Sequence, residues 1–328
     1  MRLIRLALAF SVLATPLLAD FSYKTEMKAT GGTMAAALRM AQKMSKSARN
    51  AMDGTTYVKG NRMATQAGDV VTVMDLDSST VTTIDHGKKQ YSVVTFEEYS
   101  QFMARIAEKT KKKKDVQVSY TVNVKDGKKT EVIDGDRVSL TIMSLSAEAT
   151  GNNGESGGME MVNDLWLAKD IPGADELNAV GRKISEKLAG AMGSSLGAIG
   201  PMIQQQGGAD AWREFHAKAS LLEGVPVLTV IRMAPAGNSA SMMAEAGKIP
   251  SEKSEDDTGK PSMGSLLRGM SGLGGRGSNA SGNAGNQGTL LEMTVRAYQF
   301  STAPVEESVF QVPSGYKEVE SELKKAAR

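Results

Sequence analysis

The chain has 328 residues, with 39 Lys and Arg against 37 Asp and Glu, no cysteine, 41% hydrophobic residues and 5% aromatic ones. That length suits one large domain or two small ones, and the apolar content is enough to fill a core, which excludes collagen-like and wholly disordered chains. Without cysteine there is no disulfide framework, thiolate zinc site, cysteine nucleophile or lipobox anchor, and the only histidines, His86 and His216, leave little for metal or acid–base chemistry.

Residues 1–19 read as a secretory signal. Arg2 and Arg5 open it, Leu6 to Leu13 form a short apolar run, Pro16 interrupts, and Ala19 precedes Asp20 as the cleavage position. No later segment approaches 18 apolar residues, so the mature chain is expected to be exported, periplasmic or extracellular, without a spanning helix. Losing the two arginines leaves acidic and basic residues in balance, which argues against nucleic acid as a partner, since that needs a basic face.

From Thr55 the pattern is that of an antiparallel meander. Thr55 to Met63, Val70 to Leu76, Val81 to Ile84 and Gln90 to Val94 read as strands, with turns at Gly68-Asp69, Asp77-Ser78-Ser79 and His86-Gly87. Thr95-Phe96-Glu97-Glu98 fits a capping box, and Tyr99, Phe102, Met103 and Ile106 continue it as one apolar stripe before the basic run ending in Lys111, Lys112, Lys113 and Lys114. Val116 to Val124 alternates strictly, Asp126-Gly127 reads as a hairpin turn onto Lys129 to Ile133, and Asp134-Gly135 turns into Val138 to Ile142. Further helices are expected over 175–190, with Leu177, Val180, Ile184 and Leu188 on one face, and over Thr33 to Ala48, with Met34, Leu38, Ala41 and Met44 on one face.

Residues 236–288 have no aromatic side chain, only Ile249 and Thr258 as β-branched residues, and abundant Gly and Ser; they read as a disordered insertion in an overgrown hairpin loop. Strands Pro226 to Met233 and Thr289 to Phe300 flank it, an edge of Phe310 to Val312 follows, and residues 318–328 form a short charged tail with helical character. The expected architecture is a single α+β domain over 20–317. Its strongly curved antiparallel sheet, an unclosed β-barrel, carries helices on the concave face as lid or plug, because strands without long intervening helices pair antiparallel and the apolar faces must cover one another.

Several short segments occur in a telling order: Tyr57 to Met63, Val73 to Asp75, Lys89 to Tyr91, Lys129 to Gly135, Asp164 to Ala168, Glu223 to Val227 and Phe310 to Lys317. Their order resembles a bacterial envelope family known as domain of unknown function 4412, which is similar to the periplasmic lipoprotein carriers of the LolA and LolB-like group. The resemblance covers most of 21–235 and 289–317, and implies an unclosed barrel with a helical lid over an apolar cavity.

Patterns associated with catalysis carry little here. Gly272 to Gly277 satisfies a dinucleotide pattern without a preceding strand, and Gly193 to Gly197 satisfies a nucleophile-elbow pattern but trails a helix. Asp75-Leu76-Asp77 begins like a calcium loop but lacks its glycine and final glutamate, so it reads as a turn, and His86 as a solvated turn residue. No catalytic residue, metal site or cofactor is therefore expected, and the chain is not read as an enzyme. Two functions compete. One is a non-catalytic binding module for a lipid, acyl chain or lipoprotein, lined by Met34, Leu38, Phe102, Met103, Ile106, Leu177, Val180 and Ile184. The other is a structural or protein-interaction envelope module with a filled core. Twenty methionines, adaptable and polarisable, suit irregular apolar ligands, although Met also stands in for Leu in cores. Lys111 to Lys114 suit an anionic membrane surface.

Overall fold

The computed structural model describes residues 20–44, 52–99, 101–102, 116–151, 156–188, 218, 222–250 and 288–327. Met103, Ile106, the Lys111 to Lys114 run, both glycine-rich motifs, the signal segment 1–19 and residues 251–287 of the insertion lie outside them.

Twelve strands form one sheet: β1 (Phe21–Gly31), β2 (Asp53–Lys59), β3 (Arg62–Ala67), β4 (Val70–Asp75), β5 (Thr80–Asp85), β6 (Gln90–Thr95), β7 (Val116–Ile133), β8 (Asp136–Gly151), β9 (Ser156–Ala168), β10 (Val225–Pro235), β11 (Leu291–Ser301) and β12 (Lys317–Glu318). The order β12-β6-β5-β4-β3-β2-β1-β11-β10-β9-β8-β7 is linear, so the sheet is unclosed. Every pairing is antiparallel except that of β12 with β6. Among the described residues the helices are α1 (Ala35–Met44), α2 (Ala174–Leu188), α3 (Ser239–Glu245) and α4 (Glu322–Ala327), with a helical turn at 96–99 continuing at 101–102.

Period-two alternation explains both faces of the β2–β6 half. Phe21, Val58, Met63, Met74, Val81 and Val94 stand opposite one another across six strands and share a face. That face joins the main core, into which Val180 and Ile184 of α2 and Phe96 and Phe102 insert. On the other face Ala64, Val71, Val73 and Ile84 are covered by Val305 and Phe310 from the chain after β11. This C-terminal strap then turns around the outer edge of the sheet. Lys317–Glu318 adds β12 along β6, and Leu323 of α4 reaches the main core on the first face.

The sequence reading needs correcting at five places. Thr55 to Met63 is two strands, because Gly60 takes a positive φ of 59° and turns the chain at Asn61. Asp126-Gly127 is not a hairpin turn: β7 runs through it as an irregularity, since the apolar alternation on either side pairs with the same partner, β8. Phe310 to Val312 is not an edge strand. Phe310 ends a 3₁₀ turn, Glu307–Phe310, and sits buried under the guanidinium of Arg62, 4.8 Å from its ring centroid. His86 does lie in its turn but is half-buried, its Nδ1 2.8 Å from the Tyr316 hydroxyl of the strap. Finally, residues 239–250 are not part of a disordered segment. They form α3 and a docked loop, because Met242 buries itself against Val162 and Ala234.

The capping box appears as read: the Thr95 hydroxyl accepts from the Glu98 N–H at 3.0 Å while the Glu98 carboxylate accepts from the Thr95 N–H at 2.9 Å. Since this reciprocal pair starts the helical turn that seats Phe96 and Phe102 in the core, Thr95→Ala is expected to lower stability by about 1 kcal/mol in denaturant unfolding.

Candidate functional site

The half of the sheet built from the long strands has a polar network on one face and a methionine band on the other. The network begins on β9, whose residues 160, 162, 164 and 166 share a face with Arg232 of β10 and Glu292 of β11. Arg232 and Asp164 are buried, and Nη1 meets the Asp164 carboxylate at 2.7 Å. Its Nε donates to Glu292 at 3.0 Å, and Nη2 donates to the Lys248 carbonyl at 3.1 Å. The Gly247 N–H donates to the same Asp164 oxygen at 2.7 Å, while Thr30 of β1 donates to Glu292. Gly247 takes a φ of +75°, and a Cβ there would lie 2.8 Å from a Leu140 methyl, so a side chain would push the loop off the network. These bonds tie β1, β11, β10 and β9 together and fasten the loop after α3. One cation, Arg232, thus serves two carboxylates, Asp164 and Glu292, and the bonds fix strands and loop to one another, which suits a structural role.

The opposite face is apolar. Register places Val122, Leu145, Met161, Met233 and Leu291 in one row from β7 to β11. The next row runs Val124, Met143, Asn163, Ile231, Met293 and Ala29, ending on β1. Met159 extends the first cluster on β9. Met143, Met161, Met233 and Met293 are each no more than 9% exposed. The apolar clusters elsewhere in the fold join strands to a helix or to the strap. Among the described residues, this one consists of strand residues alone. One polar side chain interrupts the band: Asn163 is 5% exposed and its Nδ2 has no hydrogen-bond partner among the described residues.

The lining residues expected from sequence fall in different places. Val180 and Ile184 are buried with Leu177 at the margin of the same cluster, and Phe102 joins them, so these four pack together in the main core beside Trp166 and Phe21. Leu38 is half-buried on α1, whereas Met34 is 55% exposed just before it, so the structure does not bring these two to the other four. The methionine band was missed as a unit. Its signal was present as Met159-Glu160-Met161-Val162-Asn163, an every-second-residue pattern whose partners Met143, Met233 and Met293 become neighbours only through strand register.

Electrostatic perturbations cluster away from the band. The Tyr23 phenol, stacked with Phe300 at 5.9 Å, is pushed above its ordinary value by burial, with a hydrogen bond to Thr56 opposing. The Glu307 carboxyl is held below the usual range by its hydrogen bond from Arg62 and the nearby Lys59. Among the described residues there is no group of three or more His, Asp and Glu that could hold a metal ion, and no helix long and apolar enough to cross a membrane. Compared with family models, curated proteins and solved structures, the chain finds no match.

Proposed function

We propose that the protein is an exported, non-catalytic binder of an apolar group, the acyl chain of a lipid or lipoprotein, held against the methionine band. The observation that carries this reading is the band itself, a contiguous two-row apolar layer reaching from β7 to β1 in which Met143, Met161, Met233 and Met293 supply four of the eleven side chains. Unbranched, polarisable methionines repack around irregular apolar partners at little cost, as binding surfaces for varied chains require. The resemblance to the LolA and LolB-like carriers supports the class of ligand, an acyl chain held against an unclosed sheet. In this reading Lys111 to Lys114, which directly precede β7 in the chain, supply positive charge for anionic headgroups.

The test is to purify the mature protein from an exporting host and measure bound lipid by native mass spectrometry. Wild type and Met161→Leu are expected to carry lipid. Met161→Glu is expected to lose at least tenfold in occupancy while keeping its strand signal in circular dichroism, because a charge beside ligand and water is tolerated where a charge in a sealed core is not. Lipid absent from wild type, together with collapse of Met161→Glu, would instead establish the second reading, an interaction module with a filled core. That alternative draws on the burial of Val180, Ile184 and Phe102, which seat helices directly on the other face.

A further inference from the structure

Asn163 is the one residue of the band whose chemistry does not fit a sealed apolar layer. It stands in the row between Met143 of β8 and Ile231 of β10, with Val124, Met293 and Ala29 beyond them, and is 5% exposed. A buried amide nitrogen without an acceptor costs about as much as a lost hydrogen bond, so leucine at this position would be the cheaper choice for packing alone. The other orphaned buried groups, Glu160 Oε2, Asp164 Oδ1 and Trp166 Nε1, all lie on the opposite face of β9, where the ionic network and the main core are. Asn163 Nδ2 is thus the orphan donor of the methionine band among the described residues.

We infer that Asn163 is the polar anchor of the apolar site, donating from Nδ2 to the carbonyl oxygen of an ester- or amide-linked acyl chain. This rests on the methionine band being the binding surface, and it narrows the ligand from any apolar chain to one carrying a neutral acceptor. A carboxamide donor without formal charge matches a carbonyl. The thioethers of Met143 and Met293 and the side chain of Ile231, which share its row, match the alkyl groups flanking that carbonyl.

The experiment is a displacement assay with the neutral fluorophore N-phenyl-1-naphthylamine on the full mature protein, using methyl palmitate and hexadecane as competitors. Wild type is expected to favour the ester by roughly five- to tenfold, the effect of one net hydrogen bond. Asn163→Leu should bind hexadecane at least as well as wild type does and lose the preference for the ester. An ester preference that survives Asn163→Leu would overturn the anchor while leaving the apolar site intact. So would a wild type that binds ester and alkane equally. Failure of wild type to bind the fluorophore or either competitor would overturn the site and its anchor together. Because Asn163→Leu removes an unpartnered buried polar group, its unfolding midpoint should not fall, which keeps a loss of ester preference distinct from misfolding.

Discussion

Replacing Arg232 with methionine should destabilise the fold by about 3–5 kcal/mol, a large share of the stability of an ordinary domain. The guanidinium is buried with Asp164, and the two share a 2.7 Å contact. Removing the cation leaves Asp164 buried with only the Gly247 N–H for compensation, and leaves the Lys248 carbonyl without its donor. Most of the loss is therefore the penalty of the stranded carboxylate and not the net worth of the pair, so the double variant Arg232→Met with Asp164→Leu should be more stable than the single one. Urea unfolding of wild type, both single variants and the double variant measures the coupling. A single variant costing under about 1 kcal/mol, or a double variant whose loss equals the sum of the singles, would show that the pair is not the clamp described. Hydrogen exchange should report the same event locally, with α3 and the 246–248 backbone losing protection before the strands do, because their anchor to the sheet is this network.

The parts of this fold that were legible in sequence are those governed by local rules. β4, β5 and β6 follow from two-residue alternation bounded by Gly- and Asp-containing turns, and the capping box at Thr95 follows from spacing alone. What was not legible depends on distant partners. Phe21 to Gly31 alternates at Phe21, Tyr23, Met27 and Ala29, but only the fold places it between β2 and β11, which flank it on both edges. The short helix α3 has a composition that reads as disorder, and it is ordered because Met242 fits against Val162 and Ala234 while Gly247 and Lys248 meet a buried ion pair. The candidate site divides along the same line. The apolar stripes of α2 and of the helical turn at Phe102 were readable by helical period and pack together as their spacing requires. The methionine band was not readable in the same way, because its rows combine residues from Val122 to Met293 that only the strand order brings side by side. Asn163 looked unremarkable as one polar residue in a strand until register surrounded it with apolar neighbours.

Phe310→Ala is expected to cost about 3 kcal/mol, far more than Glu307→Ala, although both residues hold the same strap to the same face. Phe310 is buried against a cluster containing Ala64, Val71, Val73 and Ile84, so its truncation leaves a cavity lined by three strands, β3, β4 and β5. Glu307 makes a two-pronged contact to Arg62 at 2.9 and 3.1 Å and approaches Lys59 at 3.5 Å, but it is half exposed and its pairs are screened by water and salt. The two contributions separate with pH. Arg62 and Lys59 depress the Glu307 carboxyl below its unfolded value, so its contribution is present above the ordinary glutamate range of about pH 4 and is lost as pH falls through the lower folded value. The Phe310 deficit should be the same at pH 7 and pH 4, whereas the smaller Glu307 deficit should shrink on acidification and in high salt. Since the strap continues through Tyr316 on His86 to β12 and Leu323, loosening it at Phe310 should also expose the β6 edge, seen as faster exchange of the Tyr91 and Val319 amides. Equal losses for the two variants, or a Phe310 deficit that vanishes in acid, would mean that charge and not apolar burial seats the strap.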